Sequence, residues 1–296
     1  RMEAIRIVLS DFSIMQGDPD GNMRYGDLVS RAEFAKVAVM SSAYRDYVVP
    51  EMKLTVFPDV KGDDWYSPYV WVGVKNSMFS GYPDGTFKPS DMVLYEEAAN
   101  VFLRILGYTD EDIGPSWPYG PVALAANVGL DKNIDAYAGK VLSRYDVANM
   151  TYNMLNSMPK GATQDYITNL GYSILEDTML IASYDEDTSV GVNNIYTSSG
   201  TFEMGSDFDR SLIGMSGDLV VKDATEAVCL IPSGQSKVTY TVTGMMGGGL
   251  MLDDTLFNID ENTVVYYGKN QHAYKDLYML SIQRGDEFSL IYSKDG

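Results

Sequence analysis

Apolar residues recur at helical spacing through the first half of the chain and in short, β-branched runs through the second. Phe34, Val37, Ala38 and Met40 follow Ser30-Arg31-Ala32-Glu33 at the period of a helix facing a core. Ser30 and Glu33 have capping-box spacing: the hydroxyl accepts from the Glu33 amide and the carboxylate reaches back to the Ser30 amide. Ser143 and Asp146 repeat the cap with a shorter acid, and a helix is predicted through Val147, Met150, Met154 and Leu155 until Pro159 stops it. Leu94 stands where a third capping serine belongs, ahead of Glu97, and Gly107 is the expected stop of that helix. Further helices are predicted through Ile5, Ile7, Val8 and Leu9, through Tyr69, Val70, Val72 and Val74, and from Trp117 through Val122, Leu124, Ala125 and Val128.

These helices belong to a repeated phrase. Gly17-Asp18-Pro19-Asp20-Gly21 returns as Gly81-Tyr82-Pro83-Asp84-Gly85, and Glu33 returns as Glu97, all at an offset of 64 residues. Leu142-Ser143-Arg144-Tyr145-Asp146-Val147-Ala148 matches Val29 to Ala35 in order, although Gly129-Leu130-Asp131-Lys132-Asn133 replaces the loop in that copy. Pro-Asp-Gly is turn chemistry, with proline fixing φ and glycine accepting φ > 0. Fixed-offset similarity predicts units that bury their apolar faces only by packing on one another. The units span about residues 1–46, 54–108 and 112–158 of a domain covering 1–158, and a chain opening at Arg1 within a helical pattern is expected to be processed or truncated.

From 159 to 296 the runs shorten to Met179–Ala182, Leu219–Val221, Ala227–Ile231, Val238–Val242, Val264–Tyr267, Leu277–Ile282 and Phe288–Tyr292. Their spacing predicts an all-β sandwich or small barrel, with one wet face along the alternating Val238–Thr243 segment. The fold class is therefore α+β multidomain, an all-α repeat domain followed by an all-β one. Gly244-Met245-Met246-Gly247-Gly248-Gly249 is expected to be a flexible hairpin loop, and Arg284-Gly285-Asp286 a turn.

Composition narrows the function. The 296 residues carry a net charge of -19, which excludes a nucleic-acid surface built on clustered Lys and Arg. Cys229 is the one cysteine, so an intrachain disulfide and a cysteine-based zinc site are both excluded, and its apolar run predicts a core position. No apolar run is long enough for a membrane-spanning helix. His272 is the one histidine, expected on a surface loop, and no Gly-x-Ser-x-Gly elbow accompanies it. Ser157-Met158-Pro159-Lys160 lacks the companion motifs of a Ser-x-x-Lys enzyme. Acid clusters such as Asp110-Glu111-Asp112 and Asp185-Glu186-Asp187 do not follow a calcium-loop pattern, so calcium is expected only at contacts between molecules; no cofactor and no metal ligand set is assigned.

Phe57-Pro58-Asp59-Val60, Trp65, Gly81-Tyr82-Pro83-Asp84-Gly85-Thr86-Phe87-Lys88-Pro89 and Ser30-Arg31-Ala32-Glu33 together resemble the S-layer homology (SLH) family over residues 1–158. The resemblance implies three units in a pseudo-threefold prong whose grooves bind secondary cell-wall polysaccharide, often pyruvylated. It assigns contacts with that polymer to Asp20, Gly21, Arg31, Trp65, Asp84, Gly85, Tyr95, Trp117 and Arg144, and capping to Ser30, Glu33, Glu97, Ser143 and Asp146. A carboxylate-bearing polymer suits a fixed guanidinium beside a helix N-terminus, where Arg31 and Arg144 fall. Tyr95 at the arginine position of the second unit removes that charge from one groove. The function expected is non-enzymatic: an extracellular cell-wall or S-layer structural protein, anchored non-covalently and assembling into a layer or filament. The alternatives are a wall-anchored module whose β domain binds glycan or protein, and a fragment of a surface hydrolase.

Overall fold

A computed structural model of the chain describes residues 1–246, 249–257, 263–273 and 280–292. The fold class is α+β. Two compact units are present, one from Met2 to Gly171 and the other comprising Arg1 and the chain from Tyr172 onward.

The first unit is helical: α1 (Met2–Asp11), α2 (Arg31–Met40), α3 (Ser67–Lys75), α4 (Tyr95–Ile105), α5 (Asp110–Ile113), α6 (Tyr119–Val128) and α7 (Arg144–Leu155). Both expected capping boxes form, Ser30 with Glu33 and Ser143 with Asp146. At α4 half the box survives, because Leu94 offers no acceptor while Glu97 Oε2 still accepts from the Leu94 amide at 3.0 Å. Gly107 and Gly129 take φ of 86° each, the left-handed geometry that ends α4 and α6.

The segments ahead of α2, α4 and α7 tie the copies together. The Val29 amide donates to the Leu142 carbonyl at 3.0 Å, Leu142 to Val93 at 3.1 Å, and Val93 to Val29 at 2.9 Å, which closes a ring. One residue pair outward, Arg31 donates to Asp91, Tyr95 to Lys140 and Arg144 to Asp27, each at 2.8 Å. Val29, Val93 and Leu142 are buried, so each copy satisfies its neighbour's backbone polar groups, which burial would otherwise penalise. Phe34 and Phe102 meet edge to face at 5.4 Å between α2 and α4.

The second unit contains a closed barrel in the order β1 (Tyr172–Ser183), β2 (Asn194–Thr197), β3 (Gly200–Met204), β5 (Glu226–Pro232), β4 (Ser216–Lys222), with β3 and β5 parallel and the other pairs antiparallel. Leu180, Ile195, Leu219, Val221, Ala227 and Leu230 fill it. Cys229 is buried in β5 as its apolar run predicts. A sheet of β11 (Glu287–Tyr292), β6 (Ser236–Met246), β7 (Gly249–Leu252) and β8 (Thr255–Phe257), and a hairpin of β9 (Val264–Tyr267) with β10 (Asn270–Ala273), complete the described strands.

Two local expectations change. The expected hairpin forms, but Gly244 to Met246 extend β6 and Gly249 begins β7, with Met246 opposite Gly249, so these residues are strand; Gly247 and Gly248 lie outside the described residues. His272 sits in β10 opposite Val265, because the Gly268-Lys269 connection is tight enough to turn the chain straight back into a strand. The Leu277–Ile282 run falls partly outside the described residues, and Leu280 to Ile282 form no strand. Arg284-Gly285-Asp286 is a turn, with Gly285 at φ 98°.

Candidate functional site

Two clefts open where neighbouring copies meet in the helical unit. The larger has a volume of about 850 Å³ and takes its walls from Arg31, from Met78–Pro83, from α4, and from the stretch around α5 and Trp117. The smaller, about 210 Å³, is lined by Gln16, Gly17, Asp18, Glu33 and Arg144, with Arg24, Asp27 and Leu28. They are counterparts. Ser80, Gly81, Tyr82 and Glu97 of the first stand 64 residues beyond Gln16, Gly17, Asp18 and Glu33 of the second, and Arg31 and Arg144 hold the same place in their copies.

The two loops are held alike. Tyr82 donates to the Thr86 carbonyl at 2.8 Å and Gly85 to Tyr82 at 2.9 Å; Asp18 donates to Asn22 at 3.0 Å and Gly21 to Asp18 at 2.8 Å. Gly21 and Gly85 have φ of 80° and 81°, a conformation that penalises any residue with a Cβ. In the second copy, Asp59 accepts from the Phe87 and Lys88 amides at 2.9 and 2.7 Å, fixing the loop to the Phe-x-Asp-Val entry. A Cβ on Gly81 would meet the Phe57 ring at 2.4 Å and the Thr86 carbonyl oxygen at 2.8 Å, so glycine is required by close approach there.

The two arginines do the same job. Arg31 Nε donates to the Phe87 carbonyl at 2.9 Å and Arg144 Nε to the Met23 carbonyl at 2.7 Å, and Phe87 and Met23 are themselves counterparts at the offset of 64. Arg31 Nη1 also lies 2.8 Å from Glu97 Oε1, and its guanidinium sits 4.7 Å from the Tyr82 ring centroid and 4.8 Å from that of Phe87. Its side chain is 11% exposed and that of Glu97 13%. Arg144 Nη2 donates to the Gln16 carbonyl at 2.8 Å. Burial, reinforced by the 2.6 Å hydrogen bond to Glu97, pushes the Tyr82 phenol up to about 12, so it remains a donor at every physiological pH.

Of the other expected contact residues, Trp117 lines the larger cleft and is 57% exposed. Trp65 is also exposed, but it packs on Tyr66 and Tyr69 and lines neither cleft. Asp20, Gly21, Asp84 and Gly85 build their turns without lining the clefts; the Asp84 carboxylate is held below its ordinary range by the Thr86 hydroxyl and amide. Tyr95 is fully buried, and its hydroxyl has no hydrogen-bond partner among the described residues. Glu97, expected as a cap, also anchors Arg31 and Tyr82. Tyr82, Asn100 and Arg104 line the cleft without having been singled out; the shared offset of Tyr82 with Asp18 was the available signal.

The family model described as the S-layer homology domain matches residues 56–99, the stretch that carries Asp59, the Gly81 loop and Glu97. The middle copy thus resembles an S-layer homology domain. Similarity to cell-surface proteins reaches beyond that copy. The chain is 27% identical over 162 residues to the "Middle cell wall protein" of Brevibacillus brevis, covering 54% of this chain and 15% of that one. It is 23% identical over 177 residues to the "Surface layer protein" of Brevibacillus choshinensis, covering 58% and 15%. It is 26% identical over 164 residues to "Outer membrane protein alpha" of Thermotoga maritima, covering 52% and 38%. The matched stretch thus spans about 15% of the length of the first two relatives. These likenesses indicate an extracellular, cell-wall-associated location. Among the described residues no helix is long and apolar enough to cross a membrane.

Proposed function

We propose that the helical unit anchors this protein non-covalently to a cell-wall polysaccharide, with the clefts between copies as the seats for the polymer and no catalytic step involved. The observation that carries this reading is the repetition of one cleft design at two junctions between copies, lined by Arg31 and Glu97 in one and by Arg144 and Glu33 in the other. The ring of hydrogen bonds through Val29, Leu142 and Val93 supports a pseudo-threefold arrangement of the three copies. Tyr95 fills the equivalent place at the third junction with a buried ring, which leaves two working clefts. The experiment is co-sedimentation of the full chain with purified wall sacculi before and after the non-peptidoglycan polysaccharide is stripped. Binding that disappears on stripping supports the anchor; binding that survives refutes it.

Assembly into a layer is the second part of the proposal, supported by relatives that bear the names of surface-layer and cell-wall proteins. The chain's charge of -19 would make copies repel one another, so calcium bridging between molecules is proposed as the condition for assembly. Among the described residues no group of acids or imidazoles within one chain could hold the ion. Ordered sheets seen by negative-stain microscopy with calcium, and dispersed particles without it, are the expected result.

A further inference from the structure

We infer that each of the two clefts uses a second cation at its rim, Lys88 at the larger and Arg24 at the smaller, to take up a carboxylate of the polymer beside the repeated arginine. This rests on the anchoring function proposed above and names the residues that would set its preference for acid groups. The three copies align at the rim position through one hydrogen bond that all of them make. The Asp27 amide donates to the Arg24 carbonyl at 3.0 Å, Asp91 to Lys88 at 3.1 Å, and Lys140 to Tyr137 at 3.2 Å. Arg24, Lys88 and Tyr137 are thus counterparts. Across the junctions, Lys88 follows the Phe87 whose carbonyl holds Arg31, and Arg24 follows the Met23 whose carbonyl holds Arg144. Tyr137 belongs to the loop that meets Tyr95, whose amide donates to the Lys140 carbonyl. Cation therefore stands with cation at both clefts, and at the third junction both positions are tyrosine. A rim charge that only solvates the surface would not change in step with an arginine of another copy.

The rim cations are placed and available for this. The Lys88 ammonium lies 4.3 Å from the Tyr82 ring centroid and the Arg31 guanidinium 4.7 Å from the same centroid, so one aromatic wall of the cleft carries both charges. Lys88 and Arg24 share a left-handed backbone, with φ of 55° and 51°, and their amides are fixed by Asp59 at 2.7 Å and by the Asn22 side chain at 2.9 Å. Both side chains thus leave their loops from a fixed point. The Lys88 side chain is 38% exposed and its pairing with Asp84 is long, at 3.6 Å. Exposed pairs of this kind contribute little, so a ligand carboxylate can replace Asp84 at small cost. Arg24 lines the smaller cleft and pairs with Asp27 where both side chains are open to solvent. The walls of the larger cleft otherwise set Arg31 and Arg104 against Glu97, Asp110 and Glu111, a net negative lining. The rim ammonium offsets the repulsion that this lining presents to an incoming acid.

The test is calorimetric titration of the full chain with a soluble, carboxylate-bearing wall polysaccharide, used intact and after its carboxylates are converted to neutral amides. Lys88→Gln combined with Arg24→Gln is expected to weaken binding of the intact polymer by about tenfold or more and to flatten its salt dependence, because screening acts on charge-dependent contacts. The same variant should bind the amidated polymer within about threefold of the wild type. Lys88→Arg combined with Arg24→Lys keeps both charges and should hold the intact polymer within about threefold of the wild type. Unchanged affinity of the glutamine variant for the intact polymer, an equal loss for both preparations, or wild-type binding that ignores amidation overturns the inference and leaves the anchoring function standing. Failure of the wild-type chain to bind either preparation overturns the anchoring function itself, and this inference with it.

Discussion

Lys140 Nζ lies 2.8 Å from Asp146 Oδ1, at the one junction between copies where the repeated arginine has become Tyr95. Asp146 is the counterpart of Glu97, whose partner Arg31 comes from the preceding copy. With tyrosine in that place, no guanidinium reaches Asp146 from the preceding copy, and a lysine of its own copy supplies the positive charge. The third junction thus keeps its charge balance, with the Tyr95 ring buried there. The exchange preserves the packing between copies, as repeat units commonly do.

The Tyr95 hydroxyl is buried without a partner among the described residues, and an unsatisfied buried polar group costs about 1–3 kcal/mol. Tyr95→Phe is therefore expected to leave stability unchanged or to raise it by up to about 1 kcal/mol, measured by urea denaturation. A loss above about 1 kcal/mol would show that the hydroxyl is satisfied in solution.

Burial alone would raise the Asp146 carboxyl, but hydrogen bonds from Lys140 and from the Ser143 amide and hydroxyl outweigh it and hold the group below its ordinary range. A depressed carboxyl stabilises the fold above its unfolded value of about 3.9, and that contribution is lost as pH falls through the folded value. Lys140→Met is expected to cost about 2–4 kcal/mol at pH 7, because it strands a buried carboxylate, and less near pH 3, because the carboxyl without Lys140 takes up a proton more readily than the paired one. Urea midpoints at both pH values check this; a cost independent of pH contradicts it.

Arg31 and Glu97 are both mostly buried, so removing either strands the other. Arg31→Ala is expected to destabilise by about 2–4 kcal/mol, and Arg31→Lys to recover only part of that, since an ammonium cannot meet Glu97 and the Phe87 carbonyl with a planar fork. Thermal unfolding followed by far-UV circular dichroism checks the order wild type, Lys, Ala. Equal stability of the three would mean that the pair is not formed in solution.

Gly81→Ala would drive a Cβ into the Phe57 ring and the Thr86 carbonyl. The loop must shift, at an expected cost of about 1–3 kcal/mol. The larger cleft should deform with it, seen as weakened binding to wall sacculi. Gly85→Ala meets no neighbour but strains φ at 81°, so it should lower stability by about 1 kcal/mol while sparing the cleft wall.

Much of this was legible in the chain. The spacing of Ser30 with Glu33 and of Ser143 with Asp146 predicts caps that form, because capping is local and depends on residues three apart. The offset of 64 residues marks both clefts through Gly17 and Gly81. What escaped was contact between copies. That Arg31 reaches Glu97, and that Trp117 rather than Trp65 lines a cleft, depend on how the copies close on one another, which no local pattern encodes. A small barrel was one of the two β architectures expected, but its strand order and closure escaped for the same reason. Its closure rests on a short parallel pairing of Glu203 with Glu226 and Met204 with Ala227, and the brief strands β2, β3, β7, β8 and β10 lack distinctive alternation.

Hydrogen–deuterium exchange of the full chain, with and without soluble wall polysaccharide, tests the central claim most directly. Slowed exchange is predicted at residues 78–87 and 110–121, around the larger cleft, with the barrel strands from 172 to 232 unchanged. Slowing confined to the barrel, with the cleft segments exchanging as before, would contradict the account.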